Sequence, residues 1–267
     1  MRELQLTVEP VPAWLDAARL LGSDRFTRDG LSIRASLPAP LAADVVARLR
    51  GLGIDGQPLH VTCTPELARS EVRAARLRDA RARRETTPGF QRPGARATGE
   101  GRYSLTPELL ALALGRRASG ASVVDACCGS GGNAIGFARA GSQVVAIELD
   151  PARLDEARHN AAVYGVSKRI ELLCGDAREL VPARAADILF VDPPWGEQYD
   201  KRACTLDDFP LLSALLALPP RGYRELWLKL PASFRVASVP AAEPHAYFGE
   251  APGDRHRLKF LLLRRPG

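Results

Sequence analysis

Over the first hundred residues, short runs with strand and helix periodicity interleave. Leu4 to Val8, Leu31 to Ser36 and Leu59 to Cys63 read as strands, and Ala13 to Leu21 and Leu41 to Leu52 as helices. This predicts a small α/β lobe over residues 1–64. Thr64-Pro65-Glu66 then offers an N-cap, a proline at the first helical position and an early acid, predicting a helix that runs to about Glu85. On it Arg69, Arg73, Arg76 and Arg83 share one face, and Ala68, Val72 and Ala75 form only a thin apolar stripe. The glycines, prolines and arginines from Thr86 to Arg102 read as a linker or mobile loop, so 65–102 is a basic helix and linker.

From Tyr103 onward the alternation becomes regular. Strands are predicted at Ser122 to Ala126, Gln143 to Glu148, Ile170 to Cys174 and Asp187 to Val191, with helices at Gly132 to Ala140 and Ala152 to Tyr164. Further strands follow at Glu225 to Leu230, His245 to Phe248 and Arg257 to Leu263. Strands separated by helices imply a mostly parallel sheet covered on both faces, with ligands bound at the carboxyl ends of the strands. Residues 103–267 are therefore read as one domain.

Composition changes this picture little. With 46% hydrophobic and 25% charged residues in a 267-residue chain, wholesale disorder is excluded. No apolar run approaches the roughly 18 residues a membrane helix needs, and the first residues lack a signal-peptide core, so a cytoplasmic location is expected. Five cysteines without a Cys-x-x-Cys pair argue against a disulfide framework or a structural metal, and Cys63, Cys127, Cys128, Cys174 and Cys204 are read as reduced thiols. Charge is more informative. Nine of the arginines and only four acids lie between Glu66 and Arg96, in a chain of net charge +6. Clustered guanidiniums suit a phosphate backbone. Arginine also outnumbers lysine 33 to 4, the usage of a high-G+C genome, so a merely solvated helix face explains the cluster equally well.

Three consecutive strand ends each carry a candidate ligand group. Val123-Val124-Asp125-Ala126-Cys127-Cys128-Gly129-Ser130-Gly131-Gly132-Asn133 is a strand, a glycine turn and a helix start, in which Gly129 and Gly131 allow close approach of a ligand to the backbone. Glu148 ends the next strand, where an acid can take both hydroxyls of a ribose, and Asp176 follows the third, placed to meet an adenine edge. A salt-bridged surface acid and a helix N-cap are the simpler alternatives for these two. Upstream, Thr106 of Tyr103-Ser104-Leu105-Thr106-Pro107-Glu108 is placed to cap a helix through Leu114, whose first amides could seat a carboxylate. On spacing alone, capping suffices.

Asp192-Pro193-Pro194-Trp195 follows the buried strand Ile188-Leu189-Phe190-Val191. The prolines fix the backbone and leave carbonyl oxygens free. If the Asp192 carboxylate and the Pro193 carbonyl each accept one proton of a planar exocyclic amine, the nitrogen can pyramidalise and turn its lone pair toward an electrophilic methyl group. Trp195 offers a face on which a base can stack. The thiols have no part in such a transfer; Cys127 and Cys128 are read as packing residues.

Tyr103 to about Asp200 resembles a class I S-adenosylmethionine-dependent methyltransferase, and within that class is most similar to the trimethylguanosine synthase family of RNA cap guanine-N2 methyltransferases. The resemblance rests on the Tyr103-to-Glu108 and Val124-to-Asn133 segments, Ala157-Arg158-His159-Asn160-Ala161-Ala162-Val163-Tyr164-Gly165, and Asp192-Pro193-Pro194-Trp195-Gly196, a little over a third of the chain. It implies a Rossmann-like α/β fold, mostly parallel with an antiparallel strand near the C-terminus, beside the small N-terminal α/β lobe. It also implies S-adenosyl-L-methionine as cofactor, held by Thr106, Asp125, Gly129, Gly131, Glu148 and Asp176. Asp192, Pro193 and Trp195 are then the catalytic residues, and Pro194, Gly196, Arg73 and Arg76 contact the substrate. The acceptor implied is a guanine-type base, with RNA as partner. A small nucleobase or other heteroaromatic amine is the alternative, and a nicotinamide-dependent oxidoreductase or a non-catalytic RNA-binding module comes further behind. Glu197 stands where the family commonly has a second glycine, and the first hundred residues do not match the family's usual extension, so cap recognition does not carry over.

Overall fold

A computed structural model describes residues 2–99, 105–195, 199–217 and 222–267. The N-terminal lobe contains β1 (Glu3–Glu9), α1 (Ala17–Leu21), β2 (Phe26–Asp29), β3 (Ser32–Pro38), α2 (Ala39–Leu49), the hairpin strands β4 (Gly53–Ile54) and β5 (Gln57–Pro58), and β6 (His60–Thr64). Strands β2-β3-β1-β6 form an antiparallel sheet. Strict alternation buries Leu4, Leu6 and Val8 of β1 and leaves Glu3, Gln5 and Glu9 exposed. Ala42, Val45, Val46 and Leu49 of α2 join the buried side in one core.

The long basic helix starts later than its sequence signals predict. Thr64 is not a cap: it closes β6, paired with Gln5 of β1, and α3 runs over Arg69–Ala82. The ladder supplies Thr64 with backbone partners that a local cap cannot outweigh, and Glu71 instead accepts the Ala68 N–H at 2.8 Å to close the helix start. The stretch expected to be a linker or mobile loop is, over its described part 86–99, a strap without regular structure but with many anchors. The Gln91 N–H donates to Glu108, that of Arg92 to the Tyr164 hydroxyl, that of Arg96 to Asn160 and that of Thr98 to Glu156. Thr87 is buried against Asp254, which also pairs with Lys259.

The second sheet contains β7 (Val123–Asp125), β8 (Val144–Glu148), β9 (Ile170–Cys174), β10 (Ala186–Val191), β11 (Tyr223–Leu230), β12 (Glu243–Phe248) and β13 (Leu258–Pro266). Its order is β12-β13-β11-β10-β7-β8-β9. The five strands from β11 to β9 are parallel, whereas β13 runs antiparallel to both β11 and β12. Between the strands come α4 (Glu108–Ala118), α5 (Gly132–Arg139), α6 (Pro151–Val163), α7 (Ala177–Leu180) and α8 (Pro210–Ala217). Helices α4, α5 and α6 cover one face with Leu114, Phe137 and Leu154 packed on Phe190 and Trp227. On the other face Leu212 and Leu215 of α8 meet Val124, Leu189 and Leu228. Gly115 and Gly136 let α4 and α5 cross closely; a Cβ on Gly136 would sit 2.4 Å from the Ala111 carbonyl oxygen.

Candidate active site

The carboxyl ends of β7, β8 and β10 converge on one edge of the large sheet. Asp125 ends β7, fully buried, with one carboxylate oxygen accepting the Cys127 N–H and the other, Oδ2, unpaired. Burial first, and then the charge of nearby Asp192, pushes its carboxyl up to about 8. The chain then turns through Gly129 at φ +53°, where a Cβ would meet open space, and Gly131 at φ +90°, where a Cβ would lie 3.2 Å from Ala157 on α6. Gly129 thus faces a possible ligand and Gly131 serves helix packing. Burial also pushes the Cys127 and Cys128 thiols well up, disfavouring the thiolate form.

Glu148 braces this turn. Its Oε2 accepts the Gly129 N–H and its Oε1 the Asp150 N–H, both at 2.9 Å. Asp176 caps α7, accepting the Arg178 N–H at 2.8 Å, and pairs with the Arg178 guanidinium, whose hydrogen bonds hold its carboxyl below the usual range. Thr106 does not cap α4. Pro107 occupies the cap position without a side-chain bond, and the Thr106 hydroxyl is buried with no partner among the described residues. Its backbone lies over the start of α5, the carbonyl oxygen 3.7 Å from where a Gly132 Cβ would be. Asn133, on the first turn of α5, leaves its own Oδ1 buried and unpaired.

Beyond β10 lies the acceptor side. Asp192 Oδ2 accepts two bonds, from Lys229 Nζ at 2.6 Å and from Asn133 Nδ2 at 2.9 Å. Lys229, on β11, is almost fully buried between two rings, its ammonium 5.1 Å from the centroid of Trp195 and 5.2 Å from that of Phe260. Trp195 is half-buried, meets Tyr199 edge-on at 5.8 Å, and keeps its indole N–H buried and unpaired. One region of the indole face proposed for base stacking is therefore occupied by the lysine. Pro193 is buried and Pro194 exposed, while Gly196, Tyr103 and Ser104 lie outside the described residues. Arg73 and Arg76 are exposed on α3 with no partner among the described residues, and no bond joins them to the Asp192 cluster.

Lys229 is the main residue that sequence reasoning overlooks. Its signal is present: a lone cation in the buried run Leu226-Trp227-Leu228-Lys229-Leu230, in a chain with only four lysines. Asn133 stands in the quoted glycine segment, yet nothing local announces its bond to a residue 59 positions away. Among the described residues, no group of three His, Cys, Asp or Glu side chains is placed to hold a metal, and no helix is long and apolar enough to cross a membrane.

Residues 120–208 match the family described as RNA cap guanine-N2 methyltransferase. The matched stretch is a class I methyltransferase domain. It is 36% identical over 104 residues to trimethylguanosine synthase of Schizosaccharomyces pombe, covering 35% of this chain and 43% of that protein. An uncharacterized RNA methyltransferase of Parasynechococcus marenigrum is 39% identical over 150 residues, covering 54% of this chain and 31% of the relative. The chain thus spans less than half the length of either. TrmN from Thermus thermophilus, a solved structure, is 21% identical with a TM-score of 0.44, over 99% of this chain and 100% of that one. The methyl donor of the class is S-adenosyl-L-methionine. The residues at the glycine turn fit it: the backbone at Gly129 is open, and the buried atoms of Thr106, Asp125 and Asn133 that have no partner among the described residues can bond its polar groups.

Proposed function

We propose that this domain methylates the exocyclic amine of a guanine-type base in RNA. The observation that carries the reading is Asp192: one carboxylate oxygen is anchored by Lys229 and Asn133, and the other has no hydrogen bond among the described residues. A carboxylate fixed in this way can accept an amine N–H without reorganising at the moment of reaction.

S-adenosyl-L-methionine, when bound, supplies an electrophilic methyl group on a sulfonium. Thr106, Asp125 and Gly129 hold its methionine part, Gly131 shapes the turn, Glu148 meets the ribose and Asp176 the adenine. Asp192 and the Pro193 carbonyl each accept one amine proton, so that the nitrogen pyramidalises and its lone pair turns out of conjugation with the ring. Asp192 is also the group placed to receive the proton that nitrogen loses. Trp195 bounds the base on one side, Lys229 keeps indole and carboxylate in register, and Pro194, exposed next to Trp195, lines the approach. Arg73 and Arg76 bind RNA phosphates away from the reacting atoms. The description of the matched family and the printed names of the relatives support RNA and guanine as the acceptor class.

Incubation of unmodified RNA with labelled cofactor is expected to yield N2-methylguanosine on nucleoside analysis. Asp192→Ala should lower kcat by at least about a hundredfold while S-adenosylhomocysteine still binds. Cofactor binding without any methylguanosine overturns the RNA reading. A free nucleobase or other heteroaromatic amine is the second reading, favoured by the lack of any bond, among the described residues, between the arginine face and the Asp192 cluster.

A further inference from the structure

The N-terminal lobe reaches the acceptor side through one small element. The β4–β5 hairpin turns at Asp55 and Gly56, both at positive φ (53° and 71°), as a two-residue hairpin requires. Ile54 and Leu59 root it in the core of the lobe. Its outer side is joined to two arms of the methyltransferase domain. The first, 199–204, comes after Asp192-Pro193-Pro194-Trp195 and begins with Tyr199, which abuts Trp195. The second, 231–236, follows β11 directly after Lys229 and Leu230.

The Gly53 N–H donates to the Lys201 carbonyl at 2.9 Å, that of Asp55 to Ala232 at 3.0 Å and that of Gly56 to Ser233 at 3.1 Å. In return the Asp55 carboxylate accepts the Val236 N–H at 2.8 Å. The arms also hold each other: the Cys204 N–H donates to the Ser233 carbonyl, the Arg235 N–H to that of Cys204, and the Ser233 hydroxyl to that of Asp200. The fit leaves no slack. A Cβ on Gly53 would fall 1.7 Å from the Arg202 carbonyl oxygen, and one on Gly56 2.7 Å from Arg235 Cβ. Among the described residues, no hydrogen bond of the hairpin goes to the glycine turn of the cofactor side.

We infer that the β4–β5 hairpin, with Asp55 as its key positioning residue, holds the two arms flanking the Asp192–Lys229 pair and so sets the shape of the acceptor pocket. The inference rests on the reading that Asp192 and Trp195 receive the acceptor. It gives the N-terminal lobe a part in substrate selection, separable from cofactor binding.

The test compares Asp55→Gly with Asp55→Asn in the full chain. Glycine keeps the positive φ and removes the carboxylate, whereas asparagine tolerates that φ and restores an oxygen acceptor. With unmodified RNA as methyl acceptor, Asp55→Gly should lower kcat/KM about tenfold and leave the Kd for S-adenosylhomocysteine unchanged, with recovery in Asp55→Asn. Amide exchange should lose protection at 201–204 and 233–236 but not at 128–133. Unchanged acceptor kinetics despite loosened arms, or a parallel loss of cofactor binding, overturns the inference. A wild-type protein that methylates no RNA fails the functional reading alone. Exchange then decides the hairpin's role, and arms equally protected in wild type and Asp55→Gly overturn it.

Discussion

At the scale of single residues, Asp125 is the most exacting group in the molecule: an acid with no counter-ion on its free oxygen, held near two other carboxylates, Asp192 and Glu148. In the unfolded chain its pKa is about 3.9, whereas in the folded protein burial and Asp192 push it up to about 8. Between those values the folded state keeps a proton that the unfolded state has lost. Its contribution to stability is thus fully present below about pH 4 and is lost as pH rises toward 8. Asp125→Asn removes this dependence. Urea unfolding near pH 5 and near pH 8 should therefore show the stability difference moving in favour of the variant at the higher pH, by more than about 1 kcal/mol. A pH-independent difference would show that the group titrates normally. The position of Asp125 is legible in the sequence as the acid ending the first strand of an α/β unit. Its lack of a partner is not, because that depends on which groups the sheet brings from 67 residues downstream.

Strands of the large sheet that carry a short apolar run between turn residues are the most legible elements, whether central like β10 or at the edge like β9. The predicted strand Ile170 to Cys174 agrees at both ends with β9, and Asp187 to Val191 is one residue short of β10, because apolar runs between turn residues have few alternatives. The exposed or irregular elements were harder. Thr64 has the local pattern of a cap, but its backbone pairs with Gln5, an antiparallel partner 59 residues earlier. The 86–99 strap reads as a linker because glycine, proline and arginine carry no periodicity; what holds it is a row of partners along α6 and at its end, namely Glu156, Asn160 and Tyr164. The pattern does not single out strand β2 or helix α8, and it announces α7 only through Asp176 as a possible N-cap. For α3 the remaining question is electrostatic. Arg78 and Arg83 are committed to Asp44 and Asp79, whereas Arg73 and Arg76 have no partner among the described residues. Replacing Arg73 and Arg76 with serine should leave unfolding free energy within about 0.5 kcal/mol. RNA affinity should fall, and its salt dependence should become shallower by roughly 0.7 in logarithmic slope for each single-strand phosphate left without its arginine. Unaltered affinity and slope would make this a solvated face only.

On the scale of the whole molecule, two cores share residues across the boundary between lobe and domain. Phe248 of β12 is buried in the core of the N-terminal lobe, with Ala246 and Leu258 packed against it. Behind it Asp254, itself buried, accepts bonds from Thr87 and pairs with Lys259 of β13. Residues 103–267 expressed alone should therefore aggregate or unfold at a lower temperature than the full chain, and light scattering with thermal unfolding would measure this. A fragment with the full-length melting temperature would contradict the shared packing.

Phe248 lies at the end of β12, and β12 is the last strand of its sheet. Without the lobe that aromatic ring would be uncovered at the sheet's outermost strand, beside a rim that no further strand pairs, the combination through which sheets add strands from other molecules. Truncation of the lobe is therefore expected to turn this flank of the sheet into a site of self-association.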